Sequence, residues 1–494
     1  MKKIFLIPCL IYMAAASSCS DFLNVEPTTA ADAGAAITTA ADAKVIVNGL
    51  MSKLASASYY GRNFPLYADA KGGDVTITSQ GRGYDYLYVF NHSESANSYS
   101  SIWSQGYHCL AQINNLIESI EKLKAAGSSE NFDNHLGQAL TARAMIYFDL
   151  VRLYGEPYAE NKNAFGVPNV TTLLNSDAQE LRHTVEENYQ QITTDLKAAE
   201  DLLSKTKANG FINYYANKAL QARVYLYMED FTQSLAAAEE VINSNVYTLY
   251  ENDKWAESWT TEFGTESILE LGVYPNEGDL GNSSLGAMYR RAAHGSSAIL
   301  GYFTASTNFL DKLAEDEEDV RWSVMAPDEL SETSTHPGER LGSSYKYSGS
   351  TVLAGDKKTG NSTAVNIKVI RLSEIYLIAA EAALKLSSSD KEKAAHYLNA
   401  IRKRSPNLAL ATPATINMDM IADERSKELF TEGHRFFDMM RWNRSITFDD
   451  DLGAISTIHR EKTIDRTFYK TILPIPLDEI NANPGIKAQQ NPGY

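Results

Sequence analysis

The sequence predicts a mainly α protein: a stack of tetratricopeptide-like helical hairpins carrying long loops and a few short strands. Three observations lead there. Apolar residues recur at helical spacing in segment after segment. A short motif, A-L-x-A-R-x-x-x-Y, runs from Ala139 to Tyr147 and again from Ala219 to Tyr227. Long stretches rich in Gly, Ser, Asn, Tyr and Trp separate the helical blocks.

The periodic segments follow in order. Tyr107–Leu123 places Leu110, Ile113, Ile117 and Ile120 on one stripe of a helix. Leu136–Tyr154 is a second helix, stopped by Gly155 and Pro157. Val185–Leu203 and Tyr214–Met228 follow, then Phe231–Asn243, then Ile370–Leu386 with Glu392–Arg404, and last Asp423–Trp442 as one long helix. In the repeated motif, small residues at i and i+3 let a neighbouring helix approach closely, and the Tyr one turn on fills the gap. Hairpins built this way cannot bury their own apolar faces and must stack. The irregular stretches are Tyr59–Ser101, Tyr247–Gly301 and Trp322–Asn366, with short strands expected at Ser267–Val273 and Thr363–Val369. Loops of this length inside a compact protein usually carry function.

Composition narrows the function classes. Among 494 residues, 62 acidic side chains outnumber 45 basic ones, for a net charge of −17. Such a chain repels polyphosphate, which argues against nucleic-acid binding. Three Cys (Cys9, Cys19, Cys109) build neither a disulfide framework nor a Cys-based zinc site. The chain lacks G-x-x-x-x-G-K-[ST], G-x-G-x-x-G, H-E-x-x-H and G-x-S-x-G. The acidic runs Glu315–Asp319 and Asp449–Asp451 have no EF-hand spacing, so no metal site is assigned. Glu424, Arg425, Glu428, Glu432, Arg435, Asp438 and Arg441 give the last helix a dense charge pattern. Arg425 with Glu428, and Asp438 with Arg435 and Arg441, stand at i,i+3 spacing, read as an ion-pair ladder that fixes this helix to the stack.

The amino end bears on compartment. A basic start, Met1–Lys3, precedes a thirteen-residue apolar run from Ile4 to Ala16 and then Ser17-Ser18-Cys19. The run falls short of the ~20 residues that span a bilayer, so residues 1–18 read as a signal peptide and Cys19 as the lipid-bearing residue. Two or three acyl chains hold a protein on a membrane durably. The polar Ala/Thr-rich stretch that follows makes 19–43 a tether.

Ordered matches along the chain then resemble one family. Cys19 to Pro27 (CSDFLNVEP) is similar to the mature start of RagB/SusD lipoproteins. Trp103, Tyr107, Ile113 and Asn114 resemble that family's aromatic and I-N positions, and Arg143–Pro157 resembles its next helix. Val369–Glu381, Leu398–Arg404, Glu424–Arg441 and Leu473–Tyr494 continue the match, with Ser405 standing where Ala is usual. The resemblance implies a SusD-like fold, with 44–300 as an N-terminal region containing helical repeats and 301–494 as the RagB/SusD C-terminal region. It further implies a non-enzymatic glycan-binding lipoprotein on the outer face of the outer membrane, without a cofactor. Such a protein captures oligosaccharide or polysaccharide and delivers it to a SusC-like TonB-dependent transporter. A surface glycoside hydrolase, or a peptide-capture protein of the same fold, are the alternatives.

Capture of sugar calls for flat rings against the C–H face of a pyranose and polar side chains at its hydroxyl rim. Tyrosine, present in 28 copies, suits this because it is rigid and amphipathic. The candidates are Tyr59, Tyr60, Arg82, Tyr84, Tyr86, Tyr88 and Asn97 in the first long loop, with Tyr289, Tyr302 and Tyr345 further on. Tyr84, Tyr86 and Tyr88 alternate, so a strand would set all three on one face, toward ligand or toward core. Trp103 and Trp322 read as core, while Trp255 and Trp259 fit either role. Weak individual contacts set the expected affinity between micromolar and millimolar, roughly −8 to −4 kcal/mol.

Overall fold

The computed structural model describes residues 37–81, 83–95, 99–175, 177–274, 280–290, 300–328, 340–347, 364–452 and 455–494. Its principal helices are α1 (Ala40–Leu54), α2 (Asn63–Lys71), α3 (Ser100–Ala125), α4 (Asp133–Tyr154), α5 (Val185–Ala199), α6 (Tyr214–Tyr227), α7 (Phe231–Asn243), α8 (Leu372–Lys385), α9 (Lys391–Arg402), α10 (Met418–Glu428) and α11 (Arg435–Arg441). Local chemistry explains where several begin. Thr39 and Thr184 form capping boxes with Asp42 and Glu187, while Asn213, Asp230, Asp390 and Asn417 cap α6, α7, α9 and α10. Each cap satisfies amide donors that the first turn leaves open. Helix α1 starts inside the 19–43 stretch, and Ile37 already lies in the core. Among the described residues no helix is long and apolar enough to cross a membrane.

The helices stack as the repeated motif requires. Helix α4 packs between α3 and α5, α6 pairs with α7, and α7 lies against α8, which pairs in turn with α9 and α10. Ala139, Ala142, Ala219 and Ala222 are buried at the close approaches. The Arg that follows each pair of alanines reaches across to a neighbouring helix. Arg143 donates Nε and Nη2 to Asp195 on α5 at 2.8 and 2.7 Å. Arg223 grips Glu374 on α8 at 2.7 and 2.6 Å. The motif therefore carries its own interhelical clamp, bidentate and out of water.

Helix α8 lies far along the chain from α7, and the intervening residues form the irregular face. That insertion closes at its base. Strands β2 (Ser267–Leu271) and β6 (Ile367–Arg371) pair antiparallel, so the chain returns where it left and α8 can stack. Strand β1 (Val75–Ile77) pairs with β3 (Phe303–Ala305), and β4 (Met325–Ala326) with β5 (Ser343–Ser344). The two expected strands are both present, and they are each other's partners. Ile370 belongs to β6, so the helix expected from that residue starts at Leu372.

Two expectations are corrected. The expected single helix Asp423–Trp442 is broken into α10 and α11. Thr431 and Gly433 take φ of +62° and +81° between them, and a Cβ on Gly433 would lie 2.7 Å from Pro65 Cα. A glycine is needed there because the turn folds α11 back onto α2. The ionic pairings change as a consequence. Arg425 binds Asp438 across the break at 2.8 Å, Arg435 lies 3.2 Å from Asp74, and Glu428 meets Arg371 at 3.1 Å; of the pairs expected from the spacing, Asp438 with Arg441 forms, at 2.9 Å. Second, Gly83–Phe90 is a run of turns and not a strand, so alternation does not align Tyr84, Tyr86 and Tyr88.

The centre of the molecule is ionic as well as apolar. Arg371, at the end of β6, donates to Glu432 at 2.7 Å and to Glu266 and Glu428 at 3.1 Å. Arg404 also binds Glu266 at 2.8 Å, and Lys346 binds Glu432 at 2.8 Å. The Arg371 guanidinium and the Lys346 ammonium sit 4.9 and 4.5 Å from the ring centroid of buried Trp259. Trp103 and Trp255 are buried too, and Trp322 is half-buried with Nε1 donating to the Asp316 carbonyl.

Candidate functional site

Short strands gather the loops that carry the tyrosines. Beyond β1, the Thr78 amide donates to the Tyr302 carbonyl at 2.9 Å, which ties the approach to Tyr84 to the residue preceding β3. The Ala305 amide donates to the Gly342 carbonyl at 2.7 Å, and the Tyr345 amide to the Val324 carbonyl at 2.7 Å, bringing in the segment around β5. Gln80 holds a further strand of chain, donating to the Thr457 carbonyl at 3.0 Å and accepting from the Ser456 amide at 2.6 Å. Four stretches distant in sequence are thus tied together.

Burial sorts the candidate residues. Tyr59 and Tyr60 both donate to Asp149 Oδ2, at 3.0 and 2.7 Å, in the interior. Tyr88 donates to the Asp449 carbonyl at 3.1 Å, and Tyr289 to Asp69 Oδ2 at 2.7 Å, also in the interior. Removed from water, these four rings offer no surface, so their place on a sugar-binding face is corrected. The physical reason is the same in each case: a phenol goes into the core when its hydroxyl finds an acceptor there. Burial holds the Tyr59, Tyr60 and Tyr289 hydroxyls protonated, well above their usual range. Asp69 is pushed up to about 7 by the same desolvation, which outweighs the two hydrogen bonds it accepts.

Tyr84, Tyr86 and Tyr345 are half-buried. The Tyr84 ring leans on Tyr302, with centroids 5.1 Å apart and planes 56° from parallel, and Tyr302 itself keeps only 6% of its surface. The guanidinium of half-buried Arg62 lies 5.4 Å from the Tyr84 centroid. Arg62 Nε is held by Asn63 Oδ1 at 2.8 Å, which fixes the plane of the fork. Beside β5, burial raises the Tyr345 hydroxyl, and it lowers buried Arg290, whose charge favours ionised Tyr345, to about 10. Cys19, Arg82 and Asn97 lie outside the described residues.

The arrangement offers a half-buried ring braced by Tyr302 and a cation beside it. This can hold an apolar ring face and its hydroxyl rim. Arg62 was not among the sequence candidates, although it stands two residues after Tyr60 in the same tyrosine-bearing loop. Among the described residues no group of three or more His, Cys, Asp or Glu side chains is placed to hold a metal ion. The acidic run at 315–319 is spent on structure, with Asp319 on Arg321 at 2.6 Å and Asp316 on the Asn407 amide at 2.8 Å.

Residues 329–494 match the model of the SusD family, and residues 21–226 match a family model described as starch-binding associating with outer membrane. A SusD superfamily protein of Bacteroides thetaiotaomicron superposes with a TM-score of 0.84 at 32% identity, over 92% of this chain and 100% of that one. A Bacteroides vulgatus protein described, provisionally, as sugar binding superposes with a TM-score of 0.81 at 31% identity, over 93% of this chain and 99% of that one. The SusD-like protein P2 of Formosa agariphila is 25% identical, over 100% of both chains.

Proposed function

The chain belongs to the SusD family, and from that premise we propose that it is a non-catalytic carbohydrate-capture lipoprotein of the outer membrane surface. The observation that carries the reading is the braced, half-exposed Tyr84 ring with the Arg62 guanidinium beside it. A pyranose stacks on the ring, its hydroxyls take donors from the guanidinium, and Tyr86 and Tyr345 extend the contact. Each contact is weak, which suits cargo that must be released. Delivery to a SusC-like TonB-dependent transporter, and anchoring through acylated Cys19, belong to the same proposal. The sugar-binding description of a relative and the outer-membrane description of the N-terminal family model support it.

A glycan array on the chain beginning at Ser20 tests the reading. The wild-type chain is expected to bind at least one oligosaccharide saturably and to leave it unchanged. Tyr84→Ala should weaken that binding by roughly three- to tenfold, the worth of one aromatic contact. Release of reducing ends would instead support a hydrolase, and retention of peptides with no glycan would support peptide capture. The anchor has a separate test. Cys19→Ala is expected to fold as wild type yet leave the membrane fraction on cell fractionation; unchanged membrane association would refute lipidation at this residue.

A further inference from the structure

Away from the Tyr84 ring, an open cavity of ≈ 470 Å³ lies between the end of α1, the loop before α6 and the chain leaving β2. We propose that this cavity is a second carbohydrate subsite, continuous with the Tyr84 face, so that one glycan chain runs across both. The inference rests on the carbohydrate reading above and extends it to a site of its own.

Tyr274 carries the argument. It is one of the few large rings left open, 46% exposed, and it lines the cavity. Its ring lies over Gly272, where an added Cβ would stand 3.0 Å from both Cε2 and Oη. The glycine lets one edge of the ring rest on backbone while 46% of the residue stays exposed, the support a stacking platform needs. Half-buried Phe211 adds a second aromatic wall. Exposed Asn48, Ser52 and Asn209 supply amides and a hydroxyl around it, and the buried Ser56 Oγ has no hydrogen-bond partner among the described residues. Apolar walls with a few convergent polar groups, at this volume, fit one or two sugar rings.

One turn links the two sites. The Ser56 carbonyl, at the cavity edge, accepts from the Gly61 amide at 3.0 Å, and the next residue is Arg62, whose guanidinium lies 5.4 Å from the Tyr84 ring centroid. The proposed path of a sugar chain follows this turn from the cavity to Arg62. Two weak subsites on one polymer reinforce each other, so a polysaccharide should bind more tightly than its short fragments.

Native affinity gels cast with amylopectin, arabinoxylan, laminarin or galactomannan test this on the chain from Ser20 onward, which contains every described residue. The wild type is expected to be retarded by at least one gel. On that polymer Tyr274→Ala and Gly272→Ala should each weaken binding about three- to tenfold, the second by lifting the ring without removing it. Tyr274→Phe should bind as wild type, and thermal melts of all three should match the wild type because the ring is exposed. If Tyr84→Ala weakens binding while Tyr274→Ala does not, the second subsite is overturned and the Tyr84 face stands. If no gel retards the wild type although the array shows a bound oligosaccharide, the polymer-spanning second subsite falls and the Tyr84 reading stands.

Discussion

Replacing Arg371 with Ala is expected to remove about 3–5 kcal/mol of unfolding free energy. Its guanidinium binds Glu266, Glu428 and Glu432, and all four side chains are at most 3% exposed. Without it the three buried carboxylates keep only Arg404, Lys346 and Arg321 as counter-charges and lose the one cation they share, in a medium that cannot solvate them. The loss reaches the candidate face, because Arg371 ends β6, the strand that closes the insertion against β2. Urea unfolding followed by tryptophan fluorescence measures it, since the guanidinium lies against Trp259. Arg444→Ala is the matched control. Arg444 meets Asp419 at 2.7 Å, but that carboxylate is 79% exposed, so the expected change is under about 1 kcal/mol. A loss at Arg371 no larger than that at Arg444 would show that the buried network does not hold the fold.

Acid should unfold the protein over a defined range. Burial alone would raise Glu374, but the Arg223 guanidinium overrides it and brings its carboxyl from 4.5 to about 2. The stability this contributes is whole above pH 4.5 and is lost as pH falls toward 2, on the order of 3 kcal/mol. Glu428 is displaced downward in the same way, its burial overridden by Arg371. Burial holds His434 at about 4 from 6.5, so its contribution is present above 6.5 and lost on acidification toward 4. Asp69 has the opposite sign. Raised by burial from 3.8 to about 7, it contributes stability that is whole below 3.8 and lost as pH rises through 7. His434 and Asp69 oppose each other between pH 7 and 4, and the carboxylates act unopposed below that. Melting temperature should therefore change little from pH 7 to 4.5 and drop steeply below. Asp69→Asn should uncover a decline beginning near pH 6.5, where His434 starts to act. A melting temperature independent of pH down to 2.5 would sink this account.

Much of the scaffold is legible in one dimension, since helices announce themselves through a local period. Leu110, Ile113, Ile117 and Ile120 are buried on α3 as their spacing requires, and Phe231–Asn243 forms α7 with the bounds the pattern sets. The recurrence of Arg143 and Arg223 inside one motif marks the clamp, although their partners Asp195 and Glu374 cannot be found by spacing. The break at Thr431–Gly433 was hidden because the charge pattern of Glu424–Arg441 continues smoothly through it. Only the need to lay α11 on α2 reveals it.

The tyrosines show where local reading ends. Composition and loop length pointed to an aromatic face; in the structure the half-buried Tyr84 ring packs on the buried Tyr302 ring, and Tyr86 and Tyr345 are half-buried. Tyr59, Tyr60, Tyr88 and Tyr289 stand in equally irregular stretches, yet they are interior. The interior ones are held by partners far away in the chain. Asp149 is ninety residues from Tyr59, and Asp69 is 220 from Tyr289. Periodicity is a property of neighbours and can be read directly; whether a loop phenol is sheltered or open depends on surroundings, such as the Asp149 and Asp69 acceptors, that only the folded chain brings near.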